Sequence, residues 1–88
     1  MSVPVKWFRL AAEQGVDIAQ YNLGVMYFNG DGVPEDNVQA FAWANIAGAN
    51  GHDVSSLKEM LKKVLSQQDM SEAQSLTRQL KKDFPDIY

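Results

Sequence analysis

The 88 residues carry no cysteine, one histidine and a net charge of -3. Those counts exclude a disulfide scaffold, a thiol nucleophile and a thiolate zinc site, and they argue against general nucleic-acid binding. The length suits one small domain, and no stretch approaches the roughly 20 apolar residues of a membrane span.

Charge is unevenly placed. Residues 1–51 hold two basic and five acidic residues, whereas 52–88 hold six of each, so the second half is neutral and not a basic patch. The opening MSVPVKWFRLAAEQG has no apolar core of signal-peptide length, so the chain as given carries no export signal and reads as cytoplasmic on that ground alone, its compartment otherwise unknown.

Met1 to Pro4 read as a loose start, with Pro4 suited to the first turn of a helix. Val5 to Gln14 then form a short helix with Trp7, Leu10 and Ala11 as its packing face, and Gly15 closes it. Asp17 is an N-cap candidate, and Gln20 completes a capping-box spacing. In the helix that follows, roughly Ile18 to Asn29, Ala19, Leu23 and Tyr27 recur at i, i+4 and i+8 on one side. Gly24 beside them costs about 1 kcal/mol relative to Ala, which makes sense where another helix must come very close. Gly30 and Gly32 end this helix and begin the loop GDGVPED.

Asp36 and Gln39 offer a second capping-box spacing ahead of a third helix, about Asn37 to Asn50. Its apolar stripe is Val38, Phe41, Ala42, Ile46 and Ala49, and Gly51 ends it. Asp53 caps a fourth helix, with Val54, Leu57, Leu61, Val64 and Leu65 inward and Lys58, Glu59, Lys62 and Lys63 outward. Asp69 and Glu72 mark the cap of a fifth, whose inner stripe is Ala73, Leu76, Thr77, Leu80 and Phe84 before Pro85 stops it. No segment alternates with period two for long enough to be a strand. The fold class is all-α.

The sequence also matches itself at a period of 36. Trp7 falls on Trp43, Leu10 on Ile46, Ala11 on Ala47, Gly15 on Gly51, Asp17 on Asp53 and Ile18 on Val54. The matched pieces are the end of one helix, a Gly turn and the start of the next. This is the mark of a solenoid, in which each helix pair buries its face by stacking on its neighbours.

These residues resemble the Sel-one-like repeat (SLR) family, relatives of the tetratricopeptide repeat. The first-helix pattern A-x-x-x-L-G-x-x-Y-x-x-G is matched by Ala19, Leu23, Gly24, Tyr27 and Gly30. The G-V-x-x-D loop is matched by Gly32, Val33 and Asp36, and W-x-x-x-A-A-x-x-G by Trp43, Ala47 and Gly51, with Gly48 at the second Ala position. The resemblance implies an α/α solenoid of antiparallel helix pairs, about five helices in a single domain over residues 1–88. Residues 5–15 are then a half repeat with a clipped helix, 17–51 a full repeat, and 53–84 a divergent C-terminal capping helix pair of the kind that closes bacterial members. The pattern degrades after Gly51, with Glu59 and Met60 where Leu23 and Gly24 would align.

No constellation reads as catalytic. Asn29-Gly30-Asp31-Gly32 with Glu35 and Asp36 fails the EF-hand spacing, because Val33 stands at the third ligand position and Pro34 follows. Gly30-x-Gly32 lacks the Gly-Lys-Ser/Thr ending of a phosphate loop. His52, after a helix-ending Gly, reads as a solvated loop residue, and a lone His is a poor metal site. Trp7, Trp43, Tyr27 and Phe41 read as packing residues, and the lysines at 58, 62, 63, 81 and 82 as a solvated face among acids.

Removing the packing positions leaves Asn22, Met26 and Asn29 on one further line of the second helix. The resemblance places that helix on a concave face, where Asn and Met offer adaptable polar and soft apolar contacts to a protein or peptide. The expectation is a non-enzymatic interaction module with a scaffold or adaptor role and no cofactor, metal, nucleic acid or membrane. The alternative is a small self-associating solenoid, whose open N-terminal end stacks on another copy.

Overall fold

The computed structural model of the chain describes residues 5–88, so the expectations for Met1 to Pro4 lie outside the described residues. Five helices follow in order: α1 (Val5–Glu13), α2 (Asp17–Asn29), α3 (Asn37–Ala49), α4 (Ser55–Val64) and α5 (Gln67–Asp83). Among the described residues there is no strand. The fold is the all-α solenoid of helix pairs that the sequence implied.

The period of 36 is a structural repeat at the level of single hydrogen bonds. Gly15 N–H donates to the Ala12 carbonyl and Val16 N–H to that of Ala11, at 3.1 and 3.2 Å. In the second turn Gly51 N–H donates to Gly48 and His52 N–H to Ala47, at 3.0 Å each. Gly15 and Gly51 hold φ of +91° and +93°, a conformation that a side chain would strain. The same residues at the same interval build the same corner.

Helix α3 lies at the centre and packs against α2, α4 and α5. Ala40, Phe41, Ala42, Trp43, Ala44, Ile46 and Ala47 are all buried, so it is enclosed nearly all round. On one side Trp43 and Ile46 join Ala12, Ala19, Leu23, Leu80 and Ile87. On the other, Phe41 and Ala44 join Val54, Leu57, Leu61 and Ala73. The alanines admit close approach, and Gly24 admits more: a Cβ there would stand 3.2 Å from the Ala40 carbonyl oxygen and 3.6 Å from Ala44 N. The expectation of a tight α2–α3 contact at Gly24 is borne out.

Three apolar stripes need correction. In α1 the inward residues are Val5, Phe8, Ala11 and Ala12, whereas Trp7 and Leu10 are 73% and 57% exposed. Val64 and Ala49 also face out. Helical spacing identifies a stripe but not whether a neighbour lies beside it. The α5 stripe runs as expected, with Ala73 and Leu80 buried and Leu76, Thr77 and Phe84 half-buried.

Caps are corrected too. Asp36 accepts from Gln39 N–H at 3.1 Å, but the reciprocal half of the box is not made, since Asp36 N–H donates to the Tyr27 carbonyl. At α2, however, the N-cap is Val16 with no side-chain bond, and Asp17 is already helical. At α4 the N-cap is Val54, and Asp53 sits just before it, accepting from the N–H and hydroxyl of Ser55 at 3.0 and 2.8 Å. Those bonds, backbone first, hold the Asp53 carboxyl below its ordinary range. The α5 capping box pairs Ser66 with Asp69, not Asp69 with Glu72. Ser66 Oγ accepts from Asp69 N–H at 3.0 Å, and Asp69 Oδ2 accepts from Ser66 N–H at 3.3 Å.

Candidate interaction surface

Helix α2 divides its residues between two duties. Ala19, Leu23 and Gly24 are buried against α3, and Gln20 is buried on the side of α1. Asn22 and Met26 stay half-buried and Asn29 exposed. Ile18, 59% exposed, extends the same line by one turn, at i, i+4, i+8 and i+11. Among the described residues, no side-chain hydrogen bond engages Asn22 or Asn29. Ile18 is exposed although its register partner Val54 is buried, a difference that periodicity does not mark.

The 36-residue register carries this line onto α4. Asn22 corresponds to Lys58 and Met26 to Lys62. Leu57 reaches within 3.5 Å of the position a Cβ would take at Gly24, which brings α4 beside α2. Lys58 is half-buried, with its ammonium 5.4 Å from the centroid of the Phe41 ring. That burial, and secondarily the charge of Lys62, holds Lys58 below the usual lysine range. The pair is therefore not simply a solvated face, because one of its ammonium groups has partly lost its water.

Three further groupings were not anticipated. His52 is half-buried, its ring stacked on Tyr21 at 4.5 Å and its Nδ1 3.3 Å from Asp17 Oδ2, so it joins the turn to α2 rather than standing in solvent. Arg9 bonds Glu13 at 3.1 Å and the Tyr27 hydroxyl at 3.2 Å, and its guanidinium lies 5.4 Å from the centroid of the Trp43 ring. Gln20, fully buried, is the hub of a polar network with Asn50 and two main-chain carbonyls. Its signal was hidden, since three residues after Asp17 it resembled half of a capping box.

Among the described residues no three His, Cys, Asp or Glu side chains gather as a metal site, and no helix is long and apolar enough to cross a membrane.

Repeated helix-turn-helix corners on a common period define a helical repeat protein. A model of the Sel1 repeat matches residues 5–16 and 17–52. The chain belongs to the Sel1 repeat family. Among solved structures it is similar to c5321, a protective antigen present in uropathogenic Escherichia coli strains that displays an SLR fold. The identity is 34% and the TM-score 0.84, over 94% of this chain and 18% of that one. The chain thus spans less than a fifth of that structure's length. No curated protein matches it.

Proposed function

We propose that the chain is a non-enzymatic protein-interaction module with a scaffold or adaptor role, and that it binds a protein or peptide segment along α2. The observation that carries this reading is the line Ile18, Asn22, Met26 and Asn29, of which Ile18 and Asn29 are exposed and Asn22 and Met26 half-buried, on a helix otherwise committed to packing. Asn amides pair with a partner's main chain, and the flexible Met thioether fits varied side chains. Lys58 and Lys62, the register equivalents of Asn22 and Met26, favour a segment that carries a carboxylate, since a partly desolvated ammonium gains from a counter-charge.

The test is selection of binding peptides from a random library on the intact chain, followed by titration of the best binder. Replacing Asn22 and Met26 together by Ala is expected to weaken binding at least about tenfold, with the helical circular dichroism unchanged. Binding unaltered by the double replacement removes the site.

A second reading is self-association through the N-terminal face. It is favoured by one observation: Trp7, Leu10 and Ile18 are exposed, while their register partners Trp43, Ile46 and Val54 are buried. Exposed apolar residues whose repeats are buried mark a stacking face left open.

A further inference from the structure

The segment that follows α5 is held in a way that the repeat alone does not require. Residues 84–88 leave the helix and cross to the α1–α2 corner, where Ile87 is fully buried. Its carbonyl accepts two side-chain amides, Gln20 Nε2 at 2.9 Å and Asn50 Nδ2 at 2.8 Å. Gln20 Nε2 also donates to the Ala12 carbonyl at 2.9 Å, and Asn50 Nδ2 to Gln20 Oε1 at 2.8 Å. Both amides are thereby fixed in orientation, and both lone pairs of one main-chain oxygen are engaged.

The corner is shaped for this approach. A Cβ on Gly15 would stand 2.5 Å from the Asp86 carbonyl oxygen, so only glycine lets the segment lie so near. The matching corner at Gly51 has the same φ, yet a Cβ there would meet nothing within 4 Å, and Ser56 replaces Gln20 in the register. One corner of the repeat is built as a cradle and the other is not. What the cradle reads is a main-chain carbonyl and one aliphatic side chain, while Pro85, Asp86 and Tyr88 face solvent.

We propose that this cradle is a peptide-recognition site. It takes a turn-forming segment of another protein bearing a β-branched aliphatic side chain, as residues 84–88 present Ile87 from a turn in which its N–H donates to the Phe84 carbonyl. Gln20 and Asn50 clamp that residue's carbonyl, and residues 84–88 are the resident, displaceable occupant. The site is separate from the α2 line.

The test uses the full chain with Ile87→Asp, which removes the anchor of the resident segment, and a synthetic labelled peptide KKDFPDIY, residues 81–88. Fluorescence anisotropy is expected to show the peptide binding this variant at least about tenfold more tightly than the unaltered chain, whose own segment competes at a high effective concentration. Adding Asn50→Ala is expected to cost at least about tenfold, and replacing Asn22 and Met26 nothing, so that this site and the α2 line fail separately. A folded Ile87→Asp chain that ignores the peptide, or equal binding by both chains, overturns the proposal. So does a variant that fails to fold, since the segment would then be core. Hydrogen exchange on the unaltered chain gives an independent reading. The Ile87 N–H, bonded to the Phe84 carbonyl, is expected to exchange at least about tenfold faster than the Ile46 amide of α3. Exchange of both at one rate overturns displacement.

Discussion

Gln20 is the only polar side chain buried outright among the described residues, and everything about it is decided by partners distant in sequence. It joins Ala12, eight residues before it, to Asn50, 30 after, and Ile87, 67 after. A local reading of spacing cannot see such a residue, and the Asp17–Gln20 interval instead suggested a cap. Truncating it leaves the Asn50 amide short of an acceptor in a part-buried site, while the Ala12 and Ile87 carbonyls keep one donor each, Gly15 N–H and Asn50 Nδ2. An unmatched group costs about 1–3 kcal/mol. Gln20→Ala is therefore expected to lower unfolding free energy by at least about 1 kcal/mol, read from the urea midpoint at constant slope. Gln20→Glu tests the geometry further: it keeps the size but removes the donor that both carbonyls share. It is expected to destabilise at least as much at neutral pH, because a carboxylate would face two carbonyl oxygens. A midpoint unmoved by either change would mean that the network carries no net stability.

The two tryptophans show what an element's neighbours add to its sequence. Trp7 and Trp43 occupy equivalent positions on α1 and α3, yet one is 73% exposed and the other fully buried. Periodicity presents them alike because it records the helix and not its surroundings. Trp43 lies between α2, α5 and the Arg9 guanidinium, and its indole Nε1 is buried with no acceptor among the described residues. Trp43→Ala is expected to cost about 3–5 kcal/mol, and Trp43→Phe much less, since the smaller ring fills part of the space and removes an unpaired donor. Trp7→Ala is expected to fall within about 0.5 kcal/mol of the unaltered chain. Equal effects at the two positions would contradict the packing. The caps teach the same lesson at a finer grain. Ser66 and Asp69 stand three apart, as do Asp69 and Glu72, and both intervals fit a capping box. Which is used depends on where the chain leaves Leu65, and that is set by Leu61 and Leu65 packing on the α3–α5 cluster.

At the scale of the molecule, the repeat was legible because it is written twice, in residues that make main-chain corners and close helix contacts. The route of residues 84–88 was not, since nothing periodic marks it. What the first and last helices expose also differs. The outer face of α5 is polar, with Gln67, Gln68, Ser71, Glu72, Gln74, Ser75, Arg78 and Gln79 exposed. The α1 end instead shows Trp7, Leu10 and Ile18. This asymmetry gives self-association a direction: two copies would meet α1 face to α1 face in a closed two-fold dimer, because the polar α5 face offers no match for a head-to-tail chain. Fluorescence separates the cases, since Trp43 is shielded from an aqueous quencher in any state and Trp7 only when its face is covered. For a monomer, acrylamide is expected to reach one of the two tryptophans at every concentration. For the dimer, the quenchable share is expected to fall as the solution mass from light scattering doubles, and Trp7→Arg is expected to hold the mass at the monomer value. A mass that rises while Trp7 stays quenchable would place the contact elsewhere and remove the stacking face from the account.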